Sequence, residues 1–238
     1  MTLTGQQVLV TGGAGFVGSH LVARLLADNE VRVVDSLADG KRSWVPDGAD
    51  LVVGDLTEPA VADEAFTEEI DIVFHLAADT DAARDDIDQF RSNNRVTETV
   101  VERMDEAGID RLVFTSSSTV YGEAPRPTPE SYGPLEPISI YGASKLAEEG
   151  LLSVYGHSHD FTVRIFRFAN VVGPRLRGAV IPDFIEKLRA NPDELEILGD
   201  GRQEKSYMHV EDCVAGLCHG VSEVEGPVEI FNLGTETT

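Results

Sequence analysis

The stretch Val8-Leu9-Val10-Thr11-Gly12-Gly13-Ala14-Gly15-Phe16-Val17-Gly18-Ser19-His20-Leu21 constrains the fold most, because a β-branched run, a glycine-rich turn and a helix start follow one another without interruption. Gly12 permits the tight turn. Gly15 lets backbone N–H groups approach a pyrophosphate at the helix N-terminus, with Phe16 and Val17 beside it, and Gly18 permits close packing of helix on strand. The helix end supplies partial positive charge without a lysine. Asp35 closes the next β-branched run, 23 residues after Gly12, where a carboxylate can accept hydrogen bonds from the hydroxyls of an adenosine ribose. The same carboxylate would repel a 2′-phosphate, so the expected cofactor is NAD rather than NADP. Asp55, in Gly54-Asp55-Leu56, reads equally as a contact to the adenine amino group or as the cap of the helix that Thr57 and Glu58 would start.

Further apolar runs recur at Val31 to Val34, Leu51 to Val53, Ile72 to Leu76, Leu112 to Phe114, Phe161 to Phe168 and Val228 to Phe231. Helical periodicity lies between them, at Ser19 to Ala27, Val96 to Ala107 and Val210 to Val221. Near-continuous apolar strands alternating with helices predict an α/β protein: a Rossmann-like doubly wound parallel sheet covered on both faces. Residues 1–172 are expected to form that nucleotide-binding sheet and 209–238 to return to it with the last helix and strand. Residues 173–208, where the pattern loosens around a helix at Asp183 to Ala190, are expected to be part of a smaller substrate lobe. The stop at Thr238, soon after Phe231, suggests a truncated chain.

The net charge is −23, with 42 acidic and 19 basic residues, of which only four are lysine. Such a charge disfavours nucleic-acid and anionic-membrane partners, and it predicts a salt-rich, halophilic cytoplasm in which self-repulsion is screened. Cys213 and Cys218 read as packing residues in a reducing compartment. No apolar stretch reaches the ~18 residues of a membrane span, and no signal peptide is evident, so a cytoplasmic location is expected.

Tyr141 and Lys145 stand four apart in Tyr141-Gly142-Ala143-Ser144-Lys145, on one helical face. An ammonium near a phenol is expected to lower its pKa from about 10, so that the tyrosine can act as base and acid. The hydroxyl-rich Thr115-Ser116-Ser117-Ser118-Thr119-Val120-Tyr121-Gly122 leaves the fifth strand at the carboxyl edge, where open α/β sheets bind ligands. His157 and His159 lack a third ligand and read as solvated loop residues.

In this order and spacing, these features resemble the extended short-chain dehydrogenase/reductase family, and within it the nucleotide-sugar epimerase branch. Asp35-Ser36-Leu37-Ala38-Asp39-Gly40-Lys41, Phe74-His75-Leu76-Ala77-Ala78, Arg167-Phe168-Ala169-Asn170 and Gly199-Asp200-Gly201-Arg202-Gln203 carry the likeness. The resemblance implies that Ser36, Asp39, Gly40, Asp55, Leu56 and Leu76 contribute to the NAD site, that Ala77 and Ala78 line the nicotinamide ribose, and that Asn93 or Asn94 approaches the cofactor. It implies that Phe168 packs near the nicotinamide, that His75 is a strand-end core residue, and that Ser117 binds the reacting sugar hydroxyl. It places Asn170 at the sugar diphosphate, assisted by Lys205, Arg175 and Arg202.

The activity implied is sugar-nucleotide 4-epimerisation of the UDP-glucose/UDP-galactose type through a 4-keto intermediate, by a homodimer. Dehydratase or reductase chemistry in the same family is the alternative, and a non-enzymatic NAD sensor is the alternative of another class. Dehydratases of the family carry an acid/base pair where this chain has Ser118 and Thr119, and decarboxylating members a glutamate at the position of Thr119.

Overall fold

The computed structural model describes residues 3–81, 84, 86–197, 199–202, 204–221 and 226–235; Gln203 and Thr238 lie outside them. Seven parallel strands form the central sheet: β1 (Gln7–Thr11), β2 (Glu30–Asp35), β3 (Asp50–Val53), β4 (Ile72–His75), β5 (Arg111–Ser117), β6 (Thr162–Phe168) and β9 (Val228–Leu233). Their order is β3-β2-β1-β4-β5-β6-β9, the doubly wound arrangement, and all seven expected strands are present. The strand order reverses between β1 and β4, which is where such sheets open a crevice for a dinucleotide.

Alternation along each strand builds two cores. Leu9, Val73, Leu112, Phe114, Val163 and Ile165 face one side, against Val100, Val101 and Met104 of α3 (Ile87–Ala107) and Leu152 of α4 (Ile140–Ser158). Val8, Val10, Ile72, Phe74, Val113 and Phe166 face the other, against Leu21, Val22 and Leu25 of α1 (Phe16–Leu25) and Val214 and Leu217 of α6 (Val210–Gly220). Each such fully buried side chain contributes ~1.5–3 kcal/mol. Cys213 is fully buried among them, and burial pushes its thiol up to about 12, in keeping with a packing role.

The remaining elements are α2 (Pro59–Ala65), a two-stranded parallel ribbon of β7 (Asn170–Val172) and β8 (Tyr207–His209), and α5 (Val180–Ala190) between them. Nothing on α5 is buried, and Val180, Ile185 and Leu188 are exposed. His157 belongs to the last helical turn of α4, rather than to a loop, and His159 caps it with its ring stacked on Tyr155. Among the described residues no helix is long and apolar enough to cross a membrane, and no three His, Cys, Asp or Glu side chains gather as metal ligands.

Candidate active site

The turn after β1 is shaped by contacts that a Cβ would destroy. Gly12 has φ +70°, and a Cβ there would lie 2.7 Å from the Ala77 nitrogen; one on Gly18 would lie 2.2 Å from the Gly12 carbonyl oxygen. These two glycines are demanded by the chain's own packing. Gly15 is different: it caps α1 in extended geometry, and a Cβ there would meet only that carbonyl oxygen, at 3.2 Å. No side chain caps α1, and no acidic residue sits in its first turn, so no side-chain cap among the described residues satisfies the leading amides near Phe16, Val17 and Gly18.

Asp35 stands at the edge of this turn. Its Oδ2 accepts from Ala14 N at 2.9 Å and its Oδ1 from Leu37 N at 2.7 Å. A carboxylate accepts about four hydrogen bonds, so capacity remains for ribose hydroxyls. Gly40 is pressed against Ala14, and Lys41 N donates to Ala14 O at 3.0 Å; Ser36 and Asp39 are exposed on the same loop. An uncapped helix end with an acid beside it fits NAD. Asp55 does not cap α2, whose cap is Glu58; instead its Oδ1 accepts from both Thr57 N and Thr57 Oγ1 at 2.8 Å. The Leu56 side chain is buried in the core rather than presented to a ligand, whereas Leu76, Ala77 and Ala78 are half-buried at the end of β4.

Tyr141 and Lys145 occupy successive turns of α4, which starts at Ser139, whose hydroxyl accepts from Gly142 N. A Cβ on Gly142 would lie 2.9 Å from Thr119 O, so the first turn of α4 is held against the short 3-10 turn Ser118–Tyr121 that follows β5. Ser117 ends β5, paired in register with Phe168. Its Oγ accepts from Thr119 N at 3.2 Å and Thr119 Oγ1 at 3.0 Å, which leaves its own proton to donate. Lys145 Nζ lies 4.5 Å from the Phe114 ring centroid and 6.0 Å from that of Tyr141. The Tyr141 phenol is pushed up, not down: burial is the larger cause and the charge of Glu148 the second. The expected lowering is therefore reversed, first by burial of the phenol and then by the charge of Glu148, the carboxylate to which Lys145 Nζ is bonded.

That carboxylate belongs to a buried polar chain beneath the site. Glu148 Oε2 accepts from Lys145 Nζ at 3.2 Å and from Thr97 Oγ1 at 2.9 Å; Thr97 Oγ1 meets His75 Nε2 at 2.9 Å, and His75 Nδ1 meets Thr11 Oγ1 at 2.7 Å. His75 is thus a core histidine bonded at both nitrogens, and burial, with Lys145 nearby, lowers its pKa to about 3. Beside it Glu149 receives both Arg167 Nε (3.0 Å) and an Arg167 terminal nitrogen (2.6 Å), together with Ser116 Oγ (2.5 Å). Removing either partner of that dry pair would cost ~3–5 kcal/mol. Sequence reasoning gives no role to Thr97, Glu148, Glu149 or Arg167, although Arg167 lies in a stretch that carries the resemblance and the i,i+3 spacing of Lys145 and Glu148 is a signal that could have pointed to their pairing.

Asn93, not Asn94, turns inward. Its side-chain amide binds Asp79 O and Ser144 Oγ and accepts from Asp79 N, fixing the loop after β4, while Asn94 bonds Phe90 O on its own helix. On the substrate side, Asn170 donates to Ser206 O, the residue after the exposed Lys205, and Arg202 lies exposed in a turn closed by Asp200. Arg175 is elsewhere. Its guanidinium donates to Trp44 O and lies 5.9 Å from the Trp44 ring centroid, on the loop between β2 and β3 rather than beside Asn170.

The model of the NAD dependent epimerase/dehydratase family matches residues 8–234. A putative UDP-glucose 4-epimerase of Methanocaldococcus jannaschii is 30% identical over 237 residues, which span 96% of this chain and 76% of that one. UDP-glucuronic acid decarboxylase 5 of Arabidopsis thaliana is 32% identical over 253 residues, 97% of this chain and 71% of its own. Among solved structures, the NAD complex of the Thermus thermophilus UDP-glucose 4-epimerase is similar with a TM-score of 0.86 and 35% identity, covering 96% of this chain and 78% of that one.

Proposed function

Because the chain belongs to the NAD-dependent epimerase/dehydratase family, whose cofactor is NAD, we propose that it is a sugar-nucleotide 4-epimerase of the UDP-glucose/UDP-galactose type. The observation that carries this reading is the role of Thr119. Its amide and its hydroxyl both bind Ser117 Oγ, so the position just before Val120-Tyr121-Gly122 orients a hydroxyl donor. Neither it nor the exposed Ser118 can ionise at neutral pH to remove a carbon-bound proton or to assist elimination.

Gly12, Gly15, Gly18 and Asp35 would hold the cofactor's pyrophosphate and adenosine ribose, with Ala77, Ala78, Lys145 and Phe168 around its nicotinamide end. The chemistry that NAD supplies when bound is reversible acceptance of one hydride. Tyr141 takes the proton of the sugar 4-hydroxyl and returns it, so the sugar passes through a 4-ketone. Ser117 donates its unused proton to the 4-oxygen and aligns it with the Tyr141 oxygen. Lys145 orients the nicotinamide ribose, while Asn170 and Lys205 meet the diphosphate; Lys205 acts there as a point charge, without the fork of an arginine.

Incubation with UDP-glucose or UDP-galactose in D2O tests this. Epimerisation breaks and remakes one C–H bond at C4 without solvent exchange, so the 4-epimer should appear with no deuterium on the ring. Deuterium at C5, or a 4-keto-6-deoxy product, would overturn the reading in favour of elimination. Release of CO2 from UDP-glucuronic acid would overturn it in favour of decarboxylation.

A further inference from the structure

Glu148 is wholly buried, one of its oxygens has no hydrogen-bond partner, and nothing in the mechanism above uses it. Its state follows from the bonding chain beneath it. Thr97 has one hydroxyl proton and gives it to Glu148 Oε2, so it must accept from His75 Nε2–H. His75 Nδ1 then carries no proton and accepts from Thr11 Oγ1, which itself accepts from Leu76 N and Ala77 N at 3.2 Å each. Every proton points from the nucleotide turn toward Glu148. The reverse order would leave the Thr11 hydroxyl with three donors aimed at it and none of its own bonds made. Glu148 Oε2 is therefore the terminal acceptor of the chain, met also by the Lys145 Nζ, and His75 is the neutral Nε2–H tautomer.

We propose that Glu148 is a positioning residue for the Tyr141/Lys145 pair, holding Lys145 Nζ from the sheet side and keeping a negative charge buried beside Tyr141. The inference rests on the reading of Tyr141 and Lys145 given above. Among the described residues, the one ion pair that Glu148 makes is with Lys145. On α4 the neighbouring Glu149 is spent on Arg167 of β6 and Ser116 of β5; α3 contributes the uncharged Thr97 and Asn93; β4 contributes the neutral His75. With Glu148 in place, the phenol is pushed up first by burial and then by this charge, so the cofactor-free protein favours the phenol over the phenolate that takes the sugar proton. The lysine's pull is balanced before it reaches the phenol, and the proton of Tyr141 is released against a fixed buried charge.

The test is a pH titration of the Tyr141 ring by carbon-13 NMR in the NAD-saturated protein with labelled tyrosine, the resonance being assigned with Tyr141→Phe. Glu148→Gln should raise the phenolate fraction at least tenfold at a fixed pH well below the phenol's midpoint, while Glu148→Asp, which keeps the charge, should stay near the natural protein. Equal phenolate fractions in the natural protein and Glu148→Gln overturn the proposal. The nitrogen-15 shifts of His75 in the unaltered protein give a second reading that needs no variant: the Nε2–H tautomer is expected, and an Nδ1–H ring or an imidazolium overturns it. Neither measurement uses sugar turnover, so failure here leaves the epimerase reading standing, and absent epimerisation leaves these outcomes legible.

Discussion

The proposed nucleotide cradle and the proposed reaction centre lie at the same edge of one sheet and are built from opposite materials. The cradle is backbone: amides at an uncapped helix end, two glycines that tolerate no Cβ, and a single carboxylate two bonds deep in the turn. The reaction centre is side chain, and its partners are distant in sequence: 64 residues from Thr11 to His75, 22 from His75 to Thr97 and 51 from Thr97 to Glu148. A backbone site is insensitive to charge and intolerant of volume. A buried side-chain network is the reverse, because each charge in it is stabilised only by named partners.

The largest expected effects separate the two regions. Tyr141→Phe should reduce turnover at least ~1,000-fold through loss of the proton acceptor, yet leave NAD bound, since the cradle does not involve the phenol. Gly18→Val should do the converse: its side chain would collide with the Gly12 carbonyl, so the protein should lose NAD, as read by cofactor retained after gel filtration. Full turnover in the tyrosine variant, or undiminished NAD in the glycine variant, would erase the distinction. A smaller effect is expected from Asp35→Ala. Removing the acid takes away ribose acceptors and the repulsion of a 2′-phosphate, so calorimetry should show the preference for NAD over NADP narrowing by ~10- to 100-fold. An unchanged preference would mean that the cradle discriminates by shape alone.

This contrast also explains what could be read from sequence. The glycine turn, Asp35 and the seven strands are local patterns, and all are present. The start of α3 was placed at Val96 but lies at Ile87, capped by Asp86. The missed turns carry Gln89 and Asn93, which are buried for their hydrogen bonds rather than for apolar surface, so a hydrophobic pattern cannot see them. Tyr141, Lys145 and Ser117 can be named from their spacing, but the direction of the Tyr141 shift cannot, because it follows first from burial of the phenol and then from the charge of Glu148, and both depend on how the chain packs. Arg175 was assigned to the diphosphate by its place in the chain; Trp44, 131 residues away, takes it instead.

The smallest expected effect probes the network without touching the reacting groups. Burial, with Lys145 nearby, holds the folded pKa of His75 down at about 3, against about 6.5 for an ordinary histidine. Between those values the unfolded chain binds a proton that the native protein refuses, so the unfolded state holds more protons there and stability falls as pH drops below 6.5. The contribution is fully present above 6.5 and is lost progressively toward 3. One proton corresponds to a slope of at most ~1.4 kcal/mol per pH unit. His75→Gln removes that proton while leaving every surface carboxylate, so the slope of urea-derived stability against pH between 4.5 and 6 should be shallower than the natural protein's by up to that amount. Molar KCl should be present throughout, because at a net charge of −23 surface repulsion also changes with pH, and screening keeps it from masking a single site. Parallel slopes would mean that His75 is protonated alike in both states. The one-way chain of hydrogen bonds from the turn to Glu148 would then fail, and with it the contrast between a backbone cradle and a charge-balanced centre.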